Sequence, residues 1–227
     1  MSASDSEKPA NWQPKLIALD IDGTLADHHE LDRIRDSAKQ AISDAQAQGI
    51  HVVIATGRAL STTMPIAEEV NIAEWMICSN GAMLANTQGK ILETVTFDAE
   101  EAIELLRVEI PDAVFALEDQ HGNFHSTEYF SAGALAAHLT ISELKNFAHI
   151  PAIRLVVRSE AMRDEGFGPM MSKHGFHTTI FGVGDVAWVD IGPKGVTKAF
   201  MLEQLALKLD IPQSDVMAVG DSQNDFE

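Results

Sequence analysis

Two aspartates at an i, i+2 spacing, Asp20 and Asp22, follow a short apolar run directly and precede a Gly23-Thr24 turn. A carboxylate so placed can attack phosphorus to form an acyl phosphate, which splits one difficult displacement into two easier ones. A second carboxylate beside it can protonate the leaving oxygen and later take a proton from water. The two side chains need not point to opposite faces, because the strand has ended and the chain turns at Gly23. Read alone, the pair is equally a solvated acidic turn. A second pair, Asp221 and Asp225, sits in Gly220-Asp221-Ser222-Gln223-Asn224-Asp225. Hard oxygen donors of this type suit Mg²⁺, which retains waters and also binds substrate phosphate.

Thr56-Gly57-Arg58 offers a hydroxyl and backbone N–H groups at a helix start, the composition of an anion seat. A tripeptide of this kind is more often only a strand-to-helix turn. Lys198, in Gly195-Val196-Thr197-Lys198-Ala199, can neutralise a phosphate and a nearby carboxylate. Lys194 competes for that role, and charge alone does not choose between them. Together these groups make up what phosphoryl transfer through an aspartyl intermediate requires.

Such groups must be held by regular elements. Leu16 to Leu19 reads as a buried strand, Ile34 to Gln48 as a helix closed by Gly49, and His51 to Ala55 as a second strand. A helix is expected through Val70, then a third strand at Trp75 to Ser79 ending at Asn80-Gly81. This alternation predicts a parallel sheet with right-handed crossovers and a ligand beyond the carboxyl ends of its strands. At Met83 the pattern changes. A hairpin is expected around Asn86 to Gly89, then a helix capped by Asp98 with Glu101 closing a capping box. Further strands are expected at Ala113–Leu117, Ile153–Val157, His177–Phe181 and Val186–Ile191. The βαβ style returns with an amphipathic helix over Val196 to Leu209 and a strand at Val216 to Val219. The fold class expected is α/β: a Rossmann-like core over 15–82 and 191–227, an inserted α+β domain over 83–190, and a flexible tail over 1–14.

Composition sets outer limits. The 227 residues carry 16 Lys and Arg against 34 Asp and Glu, a formal net charge of −18. That field repels nucleic acid and anionic lipid. It also repels phosphorylated ligands, so a site for them needs a local cation. No apolar stretch reaches the roughly 18 residues of a membrane span. The single cysteine, Cys78, lies in an apolar run and reads as a structural thiol; with a polar N-terminus, a reducing cytoplasm is the compartment expected.

The joint pattern resembles the haloacid dehalogenase-like hydrolases, and among them the Cof-type phosphatases of subfamily IIB. The resemblance rests on Leu19-Asp20-Ile21-Asp22-Gly23-Thr24-Leu25, Val53-Ile54-Ala55-Thr56-Gly57-Arg58, Ser79-Asn80-Gly81-Ala82, Gly195-Val196-Thr197-Lys198 and the 220–225 loop. It implies a Rossmann-like core with an inserted cap, and a Mg²⁺-dependent phosphatase for small phosphorylated metabolites such as sugar phosphates. Asp20 resembles the nucleophile and Asp22 the general acid/base. Thr56 and Lys198 match phosphate-binding positions, with Lys198 rather than Lys194 aligning to the family lysine. Gly57, Arg58, Asn80 and Asn224 resemble secondary phosphate or substrate contacts. Asp20, the Asp22 carbonyl and Asp221 resemble metal ligands, supported by Asp225. The carboxylate at Asp22 separates the chain from the dehalogenase branch.

The family core generally continues past its fourth motif, whereas this sequence stops at Glu227. An exposed sheet edge and a fraying Asp225 are therefore expected. The competing reading is a relative that binds a phosphate ligand, or a partner, without turnover; transfer to a second hydroxyl acceptor is a further alternative. His28-His29-Glu30 reads as a polar loop, His121 to His125 as a hairpin, and Met170-Met171 as part of the inserted domain.

Overall fold

The computed structural model describes residues 12–26, 33–130, 135, 139–163, 167–174, 177–183 and 186–226. In chain order the elements are β1 (Leu16–Leu19), α1 (Asp36–Ala47), β2 (His51–Ala55), α2 (Leu60–Glu69), β3 (Trp75–Cys78), β4 (Met83–Asn86), β5 (Ile91–Thr94) and α3 (Glu100–Glu109). There follow β6 (Val114–Asp119), β7 (Phe124–Ser126), β8 (Leu139–Ile141), β9 (Ala152–Ser159), α4 (Gly168–His174), β10 (His177–Val183), β11 (Val186–Gly192), α5 (Lys198–Lys208) and β12 (Val216–Val219).

The first sheet has the order β12-β1-β2-β3-β4-β5. Its first four strands are parallel, and β4 and β5 add an antiparallel hairpin. Apolar residues of one strand serve both faces. Val52, Ile54, Met76 and Cys78 pack with Ile42, Ile66 and Ala67 on the α1–α2 side. Val53, Ala55 and Ile77 pack with Met201, Leu205 and Ala206 of α5 on the other. Double coverage explains why these strands read as unbroken apolar runs rather than alternating ones.

The hairpin at 83–94 corrects one expected boundary. Expected in the inserted domain, it completes the first sheet. Met83 is buried with one core face and Leu84 with the other, beside Cys78 and Ile77 of β3. A period-two hairpin and a βαβ unit differ in local pattern, yet both can bury their residues in one sheet.

The second sheet has the order β10-β11-β9-β6-β7-β8, antiparallel except for the β7–β8 pair. One face packs Phe115, Leu117, Leu155, Val157 and Val189 against Ile103 and Leu106 of α3 and Met171 of α4. The other face carries Ala116, Val156 and Trp188, and packs on Ala59 from the loop after β2. That second face is the one turned toward the carboxyl ends of the first sheet's strands.

Local expectations meet the structure unevenly. Asp98 accepts the Glu100 N–H at 2.9 Å, while Ala99 is the backbone cap, so the start of α3 rests on one Asx-type bond. Residues 120–123 form the expected hairpin turn between β6 and β7, with Gly122 at φ 77°. Met171 is buried and Met170 packs beside it. Cys78 is fully buried, which pushes its thiol up to about 12. Of the tail expected over 1–14, residues 12–14 are described, and Trp12 donates to the Ser214 carbonyl at 3.1 Å. His28-His29-Glu30 lie outside the described residues. Among the described residues no helix is long and apolar enough to cross a membrane.

Candidate active site

Asp20 is the first residue past β1. Its N–H donates to the Val219 carbonyl of β12 at 3.0 Å, so the parallel pairing of β1 with β12 continues through it. This extension fixes the backbone from which the carboxylate projects, and leaves the side chain only 5% exposed. Lys198 Nζ donates to Asp20 Oδ1 at 2.7 Å and to Asp225 Oδ1 at 2.8 Å. Burial raises the Asp20 carboxyl above its ordinary value; the Lys198 ammonium works in the opposite direction, and Asp225 adds to the rise. A site that ionises Asp20 therefore gains from positive charge beyond Lys198.

Lys198 is placed by two features of its neighbourhood. It is the first residue of α5, whose N-cap Thr197 accepts the Phe200 N–H at 3.1 Å. Gly81, at φ 93°, lets the third strand's loop pass beneath that cap: a Cβ there would lie 1.9 Å from the Thr197 carbonyl oxygen. Only glycine satisfies both the left-handed backbone and this approach. Lys194 is exposed, whereas Lys198 is paired with Asp20 inside the cluster.

Asp225 folds back over Gly220, where a Cβ would fall 2.2 Å from the Asp225 carboxyl carbon. Its Oδ2 accepts the Ser222 N–H at 3.0 Å. Both of its oxygens are thus engaged, and the fraying expected for this residue is opposed by two bonds. Asp221 is exposed and accepts from the Thr24 hydroxyl at 3.3 Å. One oxygen from each of Asp20, Asp221 and Asp225 lies within 4.8 Å of the others. Three hard oxygen donors around a single lysine leave the cluster with excess negative charge. That donor set fits a hard divalent cation.

The second carboxylate of the first pair is held differently. Asp22 takes a two-point contact from Arg58, with Nη2 at 2.5 Å from Oδ1 and Nε at 2.9 Å from Oδ2. The planar guanidinium matches both oxygens and fixes the carboxylate's orientation. Arg58 is therefore spent on Asp22 here rather than standing alone as an anion contact. Thr56 is fully buried, and its Oγ1 accepts the Arg58 N–H at 3.1 Å; a hydroxyl that accepts there still has a proton to donate. Gly57 is close under Asn80, whose Oδ1 lies 2.9 Å from where a Cβ would stand. Asn80, at φ 54°, donates its N–H to the Thr56 carbonyl and accepts from Asn224 Nδ2, both at 3.1 Å. So all ten residues singled out in the sequence lie on loops at the carboxyl ends of the parallel strands, or on the start of α5.

Sequence reasoning missed a second charged group beneath these loops. Arg154 on β9 donates through Nε to Glu118 Oε2 at 2.9 Å, and through Nη1 to Asp190 Oδ2 at 3.0 Å and the Gly57 carbonyl at 2.7 Å. Its Nη2 stands 2.9 Å from the same Glu118 oxygen as an ion pair outside hydrogen-bond geometry. Ser79 donates to Glu118 at 2.8 Å, and Trp188 to Asp190 at 2.9 Å. Burial raises the Glu118 carboxyl, with Arg154 opposing. Burial also disfavours the guanidinium, but Glu118 and Asp190 outweigh it and hold Arg154 above its ordinary value. The signal was present: Arg154 and Asp190 each stand between two apolar residues within a strand run, and Glu118 closes another run beside Asp119.

The haloacid dehalogenase-like hydrolase family matches residues 17–227, and the chain belongs to it. It is an enzyme of the phosphoric monoester hydrolase class. Among curated relatives, the 5-amino-6-(5-phospho-D-ribitylamino)uracil phosphatase YcsE of Bacillus subtilis (strain 168) is 27% identical over 215 residues, covering 93% of this chain and 78% of that protein. Phosphatase YwpJ of the same organism is 27% identical over 244 residues, covering 93% and 84%. Among solved structures, a phosphatase of the superfamily from Bacteroides thetaiotaomicron superposes with TM-score 0.74 at 23% identity, covering 98% of this chain and 83% of that one. A subclass IIB sugar phosphatase superposes with TM-score 0.75 at 19% identity, covering 93% and 82%. These two likenesses establish the fold: an α/β core with a second, mixed sheet.

Proposed function

We propose that the chain is a Mg²⁺-dependent phosphatase that hydrolyses small phosphorylated metabolites, such as sugar phosphates, through an aspartyl-phosphate on Asp20. The observation that carries this reading is the buried Asp20 carboxylate gripped by Lys198, with Asp221 and Asp225 oxygens within 4.8 Å. The names of the curated relatives support the substrate class, since one of them acts on a phosphorylated ribityl compound.

In this mechanism an Asp20 carboxylate oxygen attacks phosphorus, and the bond from phosphorus to the leaving oxygen breaks. Asp22 gives that oxygen a proton. The ionised Asp22 then takes a proton from water, whose oxygen attacks phosphorus and breaks the bond to Asp20. Arg58 orients the Asp22 carboxylate through Nε and Nη2 when it is ionised. Thr56, Lys198 and the Gly57 N–H bind the phosphoryl oxygens, with Asn80 and Asn224 shaping that seat. Asp20, the Asp22 main-chain carbonyl and Asp221 would hold the Mg²⁺, with Asp225 behind them. When bound, the ion supplies the positive charge that offsets both the carboxylate cluster and the transferring phosphate.

The second sheet with its helices acts as the cap over this site, running from about residue 95 to 190, and its inner face selects the leaving group. A reducing cytoplasm suits the buried Cys78 thiol. The test is phosphate release from a panel of phosphorylated metabolites and an aryl phosphate, with Mg²⁺, with EDTA, and for Asp20→Asn. Release that needs Mg²⁺ and vanishes in the variant is expected; no release by the folded wild-type protein contradicts the reading.

A further inference from the structure

We propose that Arg154 is a positioning residue: it sets the peptide plane between Gly57 and Arg58, and so aligns Thr56 and Arg58 from the second sheet. This inference rests on the phosphatase reading above. Arg154 Nη1 donates to the Gly57 carbonyl at 2.7 Å across 97 residues of sequence. The carbonyl of Gly57 and the N–H of Arg58 belong to one peptide unit and point in opposite directions. The N–H side of that unit donates to Thr56 Oγ1 at 3.1 Å. Holding the carbonyl therefore aims the N–H at the threonine hydroxyl. A charged donor on the carbonyl also polarises the unit and strengthens its N–H as a donor.

The plane needs an external hold. Residue 57 is glycine, because Asn80 Oδ1 lies 2.9 Å from the Cβ position, and glycine restrains its own torsions least. Arg154 is itself clamped. Its fork spans Glu118 and Asp190, which lie on the same face of the sheet through the Glu118–Arg154 and Val156–Asp190 pairings. Glu118 also accepts from Ser79 at 2.8 Å. Ser79 has φ 50° and precedes Asn80, whose N–H donates to the Thr56 carbonyl at 3.1 Å. One buried triad thus grips both loops that border Thr56. A structural pillar would need only the Glu118 and Asp190 bonds; the third bond to Gly57 is the one directed at the site.

The experiment compares wild type with Arg154→Lys and with the charge-balanced double variant Arg154→Met/Glu118→Gln. Each is measured for KM and kcat with p-nitrophenyl phosphate, for inhibition by inorganic phosphate, and for thermal unfolding. One ammonium nitrogen cannot stand at the Nε and Nη1 positions together, so Arg154→Lys should keep the fold while KM and the phosphate inhibition constant rise about tenfold, the effect of losing one charge-assisted hydrogen bond. The Mg²⁺ concentration for half-maximal activity should stay unchanged. The double variant, if folded, should show a larger rise. If it does not fold, Arg154→Lys decides alone. A folded Arg154→Lys enzyme with wild-type KM and wild-type phosphate inhibition overturns the inference. Loss of kcat alone, in proportion to the unfolded fraction, also overturns it, since that is what a purely structural role gives. Failure of wild type to release phosphate would instead count against the phosphatase reading itself.

Discussion

Among the described residues one motif, a single buried cation between two carboxylates, occurs twice, and the copies differ in what lies beside them. Lys198 bridges Asp20 and Asp225 at the open ends of the parallel strands. Arg154 bridges Glu118 and Asp190, sealed between the second sheet and the loops below. The sealed copy uses the residue with a rigid fork, and Ser79 and Trp188 donate to its two carboxylates. The open copy uses a compact point charge and has a third, exposed carboxylate, Asp221, beside it. A buried ion cluster is held by the bonds its geometry completes, and here only Glu118 Oε1 and Arg154 Nη2 are left without one. An open one with surplus negative charge is arranged to take up a cation and an anion together. The difference separates a group that holds from a group that reacts.

That contrast can be broken experimentally. Lys198→Met should lower kcat for an aryl phosphate by about 10² to 10³, the range for removing a preorganised charge from a transition state. Near-normal turnover would remove the lysine from the chemistry. Arg154→Met should add to the rise in KM a loss of stability of about 3–5 kcal/mol in urea denaturation, because Glu118 and Asp190 are left buried and uncompensated. A loss below about 1 kcal/mol would mean water reaches the triad.

The two copies were not equally legible. The open one was read from sequence because its residues fall at strand ends in short polar motifs, where carboxylates have no packing role. The choice of Lys198 over Lys194 came from resemblance, and burial at the start of α5 supplies its physical basis. The sealed copy was hidden because Glu118, Arg154 and Asp190 come from three strands that meet only through antiparallel pairing. The hairpin at 83–94 was placed in the wrong unit for a related reason: strand pattern reports local geometry, and sheet membership is decided by which core the side chains enter. Asp98 was assigned a full capping box, yet its side chain bonds one N–H only.

A smaller effect sharpens the open side. Mg²⁺ at about 100 times its dissociation constant should stabilise wild type by about 2.7 kcal/mol, seen as a rise in Tm. Asp221→Asn should blunt that rise while leaving the metal-free Tm nearly unchanged. An undiminished rise would place the ion elsewhere.

The smallest expected effects test surroundings with no part in either cluster. Cys78, with its thiol raised to about 12 by burial, should resist alkylation at pH 8 in the native protein and react only on unfolding. Asp112 is held below the ordinary carboxylate value, chiefly by the Ala161 N–H, with the Ser159 hydroxyl and Glu160 N–H adding to it. A depressed folded value contributes stability above the unfolded value near 3.8, and that contribution is lost as pH falls through the folded one. Asp112→Asn should therefore be less stable than wild type at neutral pH, with the gap closing in acid; a gap that persists in acid would assign the effect to packing.

The central claim is that Asp20 carries the phosphoryl group. Wild-type enzyme turning over an aryl phosphate with Mg²⁺ should be quenched in acid within a few turnovers and its peptides weighed. One phosphoryl group on the peptide containing Asp20, absent from Asp20→Asn and without substrate, is the predicted result. Steady turnover with that peptide unmodified under every quench, or a phosphoryl group on another residue, would contradict the account.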